Sequence, residues 1–249
     1  MTSDQPVGAR SHTAEHASDA AHEFGHLDPA PPQVHESTGL DRVPASSTGD
    51  EEPAEAVVVG ARGLALLDAL ERHAPGARTH AHAVATYAFA TAAELGLRTR
   101  ACELVREVAR LHEVGRLYLP SGLALRPRDE MSAKEHSELE RSRQAGSQLA
   151  RGAGLPEEAC RDLGSIDERF DGRGPSGIGS RQIPLPARIA RVTCAYQEAI
   201  ERFTDKSSLV SDAPRQLALA ALRGEAGMAY DGVVVEALSA VVTRAAATR

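Results

Sequence analysis

The chain has 249 residues, of which 42% are hydrophobic but only 3% aromatic, with no Trp. That allows one full-sized domain and a tail, or two small domains, and a core of Leu, Val, Ile and Ala suits packed helices better than sheets. The formal charge of −7 belongs to the start of the chain. Eleven acids and two bases precede Val57, leaving 24 acids and 26 bases for the rest, too even a balance to attract duplex nucleic acid.

Cys102, Cys160 and Cys194 are an odd number with no CxxC pair. This argues against a disulfide framework and for a reducing compartment. The chain does not open with a basic stretch followed by an apolar run, and no segment reaches the ~20 apolar residues that cross a bilayer. The expectation is a cytoplasmic protein with no membrane partner.

Residues 1–56 are rich in Pro, Ser, Thr, Ala, His and acids. They cannot bury enough surface to offset their ordering entropy and are expected to be a disordered acidic tail, ahead of a domain at 57–249. His12 with His16, and His22 with His26, stand four apart in that tail. They would face a common cation only if it became helical.

Helical patterns follow. Residues 60–72 carry Leu64, Leu66, Leu67 and Leu70 before Pro75-Gly76. Residues 79–95 place Val84, Tyr87, Ala88, Ala92 and Leu95 on one face, ending at Gly96. Residues 99–114 repeat the pattern with Leu104, Val108 and Leu111. Ser132 with Glu135 predicts a capping box for a helix toward Gly152. Pro156 opens a short helix, and residues 171–179 form a glycine-rich loop. Pro186 starts a helix through Ile200, and two more cover 213–222 and 232–246. No alternating strand pattern competes, so the predicted class is all-α.

The most informative run is Leu111-His112-Glu113-Val114-Gly115-Arg116, at the end of a helix. An imidazole beside a carboxylate at such a corner can serve one cation, and such a cation polarises a phosphorus centre. Four further segments stand around it: His80-Ala-His-Ala-Val84-Ala-Thr-Tyr87-Ala88 upstream, then Glu168-Arg169-Phe170-Asp171-Gly172-Arg173-Gly174, Ile183-Pro184-Leu185-Pro186-Ala187-Arg188-Ile189 and Gly227-Met-Ala-Tyr230-Asp231-Gly-Val-Val234-Val235. Together, and in this order, they resemble the HD-GYP family, with Leu119-Pro120 and Leu123 resembling its Ile-Pro segment.

The resemblance implies an HD-type helical bundle related to cyclic di-GMP phosphodiesterases. It also implies an eroded site. The family's ligand positions fall on His80, His112, Glu113, Ser142, Ile166, Asp167 and Cys194, where the family carries His, His, Asp, His, His, His and Asp. Ser142 and Ile166 ligate poorly. His80, His112, Glu113 and Cys194 correspond to the ligands of single-metal HD enzymes, and Asp167 is a further possible donor. The cofactor expectation is none, with one divalent metal (Zn, Mn or Fe) on these positions as the alternative.

Cys194 has an ordinary alternative as a buried small hydrophobe, and the histidines as polar residues satisfied by Glu113. Arg116, Arg169, Arg173 and Arg188 are candidates for phosphate or nucleotide contacts. For Arg169, Arg173 and Arg188, with Arg181, the alternative is surface pairing with Asp171 and Glu168. His136, turned away from Ser142, is expected in solvent.

Retention of packing segments with loss of chemistry points to a non-catalytic signalling module that binds a protein partner or a cyclic dinucleotide. A metal-dependent phosphohydrolase with a reduced single-metal site is the alternative. Metal content and cyclic dinucleotide binding discriminate them.

Overall fold

The computed structural model describes residues 54–126, 130–204 and 213–247, with side chains from Ala61 onward. The tail and its histidine pairs lie outside the described residues.

Among the described residues there are nine α-helices and no named strand. They are α1 (Ala54–His73), α2 (Ala77–Glu94), α3 (Thr99–Arg110), α4 (Ser121–Ala124), α5 (Ala133–Gly152), α6 (Glu157–Gly164), α7 (Leu185–Thr204), α8 (Ala213–Gly224) and α9 (Gly232–Ala247). A 3₁₀ turn, Val114–Tyr118, joins α3 to α4. The first helix starts at Ala54, six residues before the predicted 60, because an Ala/Val run continues its helix backward.

Helix α2 is the hub. It packs against α1, α3, α7 and α9. Its buried face is Ala77, Ala81, Val84, Ala85, Ala88, Thr91 and Ala92. Small side chains on all these positions let the axes of several neighbours approach closely. Larger residues then come from those neighbours, with Val105, Val108, Leu111, Ile189, Val192, Val235 and Leu238 at most 1% exposed. Full burial stabilises each such side chain by about 1.5–3 kcal/mol. Tyr196 of α7 meets Tyr87 of α2 edge-on, with ring centroids 5.1 Å apart. A second, smaller apolar cluster joins α1, the segment after α3 and α5 through Leu67, Leu70, Leu119, Leu123 and Leu139.

Helix α5 carries the predicted capping box: the Ser132 hydroxyl accepts from the Glu135 amide, and the Glu135 carboxylate accepts from the Ser132 amide. One face of α5 packs on the 3₁₀ turn after α3. The approach is so close that a Cβ on Gly115 would lie 1.8 Å from the Ser142 carbonyl oxygen. Gly146, one turn further along α5, faces the same backbone. Two glycines thus seat α5 directly against the chain that follows His112 and Glu113. His136 on α5 is half-buried rather than fully in solvent.

Candidate functional site

Three elements bring the predicted donors together. His80 lies in the first turn of α2, His112 in the turn just past α3, and Cys194 midway along α7. One ligand atom from each falls within 4.8 Å of the other two. The imidazole centroids are 5.3 Å apart.

Both rings are oriented through the nitrogen that points away. His112 Nδ1 donates to the Ala109 carbonyl at 2.7 Å. His80 Nδ1 is 2.9 Å from the Glu201 carboxylate. Each Nε2 is buried without a hydrogen-bond partner. Outward Nδ1 contacts that leave Nε2 facing a shared point are the arrangement seen around metal-bound histidines. Burial opposes a charge on His80, but the Cys194 thiol and the Glu201 carboxylate outweigh it and raise its pKa to about 9. Burial pushes His112 the other way, below its ordinary value, and holds the Cys194 thiol up.

Two imidazoles and a thiol are a donor set that fits Zn²⁺ with one position left open. His80, His112 and Cys194 would hold such an ion, and it would supply Lewis-acid polarisation of a phosphoryl oxygen.

Glu113 and Asp167 stand outside this donor group, each turned to arginine. The Glu113 carboxylate is 2.5 Å from Arg116 and 3.8 Å from Arg143. Burial works against its charge, yet Arg116 and the two histidines, with Arg143, bring its pKa down to about 2. Asp167 is 3.2 Å from Arg143 and 3.9 Å from Arg191. Ser142 returns its hydroxyl to the Leu139 carbonyl, and Ile166 is 6% exposed. Of these family ligand positions, Ser142 and Ile166 present neither imidazole nor carboxylate, and Glu113 and Asp167 are paired with arginine.

Arg143 was not among the residues singled out from the sequence, and it fills the middle of the site. Its side chain is 9% exposed. Nη1 is 3.2 Å from Asp167, while Nη2 is 3.2 Å from Glu198, 3.8 Å from Glu113 and 3.9 Å from the Cys194 sulfur. Glu198 and Glu201 were also missed. They follow Cys194 by four and seven residues, one helical face of α7, and that spacing was available as a signal.

Beside this cluster opens a cavity of 610 Å³. Arg141, Arg143, Arg169, Arg173 and Arg191 line it, with Tyr230 and the acids Glu140, Asp167 and Glu198. Two of the arginines expected at phosphate, Arg169 and Arg173, are on its wall. The other two are not among its lining residues. Arg116 donates to the Ala124 carbonyl and pairs with Glu113, and Arg188 is tied to Ile183 and Asp231. The glycine-rich loop is held by acids: Asp171 accepts from the Arg169 side chain and the Arg173 amide, and Glu168 accepts from the Ser176 amide. Arg181 lines a separate surface hollow with Phe170 and Gln182.

The helical order and the histidine corner match a known family: a model described as HD domain fits residues 65–234. The chain belongs to the HD domain family. A curated relative of this HD domain, named cyclic di-GMP phosphodiesterase response regulator RpfG, comes from Xanthomonas campestris. It is 28% identical over 153 residues, covering 59% of this chain and 38% of the relative. The chain thus spans under half the length of that protein.

Solved structures share the fold. Bd1817, titled an HDG"Y"P protein from Bdellovibrio bacteriovorus, superposes with a TM-score of 0.56 at 19% identity, over 74% of this chain and 62% of that one. The PgpH HD domain of L. monocytogenes, titled in complex with cyclic-di-AMP, gives 0.53 at 15% identity, over 72% and 95%. No helix among the described residues of this HD domain is long and apolar enough to cross a membrane.

Proposed function

We propose that this HD domain is a cytoplasmic signalling module that recognises a cyclic dinucleotide in its arginine-lined cavity without two-metal hydrolysis. One observation carries the reading: the Arg143 guanidinium sits among Glu113, Asp167 and Glu198, beside a cavity walled by four more arginines. Guanidinium groups suit phosphate, which they engage through paired N–H donors. A cavity of 610 Å³ is within the range of small-molecule sites. Hydrolysis by a pair of metals needs cations on both the attacking and leaving oxygens, and an arginine can be neither a generator of hydroxide nor an exchangeable Lewis acid. The names of the Xanthomonas relative and of the PgpH complex support a cyclic dinucleotide as the ligand class. The acidic tail at 1–56 serves in this reading as a tether or second contact.

Calorimetry with cyclic di-GMP and cyclic di-AMP, run beside a phosphodiesterase assay, tests this. Binding without turnover is expected, with Arg173→Glu weakening it about tenfold or more by reversing a charge on the wall. No heat from either nucleotide at high micromolar concentration would sink the nucleotide reading and leave a protein partner as the class.

A second reading, a phosphohydrolase with a single metal, is favoured by the paired orphan Nε2 atoms of His80 and His112. It requires about one Zn, Mn or Fe per chain in untagged protein, lost in His112→Ala, together with turnover. A folded chain that takes up no metal eliminates it.

A further inference from the structure

The two histidines of the cluster are held from behind in different ways. His112 Nδ1 meets the Ala109 carbonyl, three residues back in its own stretch of chain. His80 Nδ1 instead meets a side chain 121 residues away, the Glu201 carboxylate, at 2.9 Å. An ionised carboxylate only accepts, so this nitrogen carries the hydrogen, and a neutral ring so held keeps its lone pair on Nε2. That Nε2 is buried with no hydrogen-bond partner, and one donor atom each of His80, His112 and Cys194 lie within 4.8 Å of one another. Glu201 follows Cys194 by seven residues on α7, two helical turns, which puts both on one face. One face of one helix thus supplies a donor to the cluster and the anchor for a second donor from α2. Gln197, four residues before Glu201, donates to the same carboxylate at 3.4 Å. The Glu201 side chain is 53% exposed, so little of the fold rests on it.

We infer that Glu201 is a positioning residue for a Zn²⁺ site at His80, His112 and Cys194, fixing the His80 ring through Nδ1 so that Nε2 is presented to the ion. The inference rests on the single-metal reading of that site. Glu201 touches neither the ion nor a substrate. Its effect is on affinity: a ring already held in place loses less freedom on binding, and the carboxylate behind it makes the imidazole a more basic ligand. The Ala109 carbonyl has the same role behind His112. A change of side chain does not remove it, which makes His112 the internal control. A mere surface ion pair between Glu201 and His80 would leave metal affinity alone.

The test is a chelator-competition titration of Zn²⁺ into the full-length chain, with proton NMR of the Co²⁺-loaded chain, in which imidazole N–H protons near the paramagnetic ion are shifted clear of the rest. Circular dichroism checks folding. Wild type is expected to show one slowly exchanging N–H signal from each histidine. Glu201→Ala keeps the fold, weakens Zn²⁺ binding about ten- to a hundredfold, and loses the His80 signal to exchange with water while that of His112 stays. Glu201→Gln keeps an acceptor oxygen without the charge and falls between the two. Unchanged Zn²⁺ affinity with both signals intact in folded Glu201→Ala overturns the proposal alone and leaves the metal site standing. A wild-type chain that takes up no Zn²⁺ overturns the metal reading and the proposal with it. Should Glu201→Ala fail to fold, Glu201→Gln decides: weaker Zn²⁺ binding with an unchanged His112 signal supports the proposal, and wild-type affinity overturns it.

Discussion

Glu113 shows how a single carboxylate is kept ionised in a buried place. Arg116 and Arg143 flank it, and the two histidines stand behind. Glu113→Gln leaves two guanidinium groups short of a partner and is expected to cost about 3 kcal/mol, read from urea denaturation at neutral pH. A loss under about 1 kcal/mol would mean that the pairing carries no weight. The pH dependence has a definite sign. A carboxylate held at about 2 against an ordinary 4.5 contributes stability that is complete above 4.5 and fades as pH falls toward 2. The gap between wild type and variant therefore narrows across that window. At this scale the sequence was informative about one half of the site. The motif order placed His80, His112 and Cys194 in one pocket, and they converge. Arg143 was invisible, because attention to a ligand position stops at Ser142, and nothing in a lone arginine announces that three acids will surround it.

At the scale of elements, the seat between α5 and the 3₁₀ turn is the joint that matters. Gly115→Ala would put a methyl into the Ser142 carbonyl. Backbone cannot swing aside as a side chain does, so α5 must move and take Arg143 with it. A destabilisation of several kcal/mol is expected, accompanied by loss of cavity binding, and a native-like melting temperature for this variant would show that α5 can slide freely. Ser132→Ala, at the start of the same helix, should cost only about 1 kcal/mol because one capping hydrogen bond is lost. The long helices were legible because their apolar residues recur every three to four positions, as Val84, Ala88 and Ala92 do on α2. The four-residue α4 and the 3₁₀ turn Val114–Tyr118 were not, since neither is long enough to complete a period. The turn also cut short the helix expected through 114: the cap residue Leu111 has left helical geometry, and that departure is what frees His112 to face His80.

At the scale of the whole domain, burial holds Asp162 against its preference. Asp162 on α6 is fully buried, its two carboxylate oxygens lack a hydrogen-bond partner, and burial raises its pKa from 3.8 to about 6 despite the nearby Arg161. The folded state binds this proton more tightly than the unfolded chain. Stability from this group is therefore greatest in acid, declines between 3.8 and about 6, and stays reduced above. Asp162→Asn removes the decline. It should raise stability above pH 6 by about 1–2 kcal/mol, with the advantage closing toward pH 4, as thermal melts at several pH values would reveal. A variant no more stable than wild type at pH 7.5 contradicts the assignment.

The alanine face of α2 sets a different kind of limit. Its stability derives from closeness, not from the bulk of any one side chain, and the same few methyls are shared among α3, α7 and α9. Enlarging Ala81, Ala85, Ala88 or Ala92 even to Val would wedge apart more than one interface at once, at about 1–3 kcal/mol each. In a saturation-mutagenesis screen scored by soluble yield, this stretch should tolerate Gly or Ser better than any larger apolar residue, the reverse of the preference shown by most buried helices.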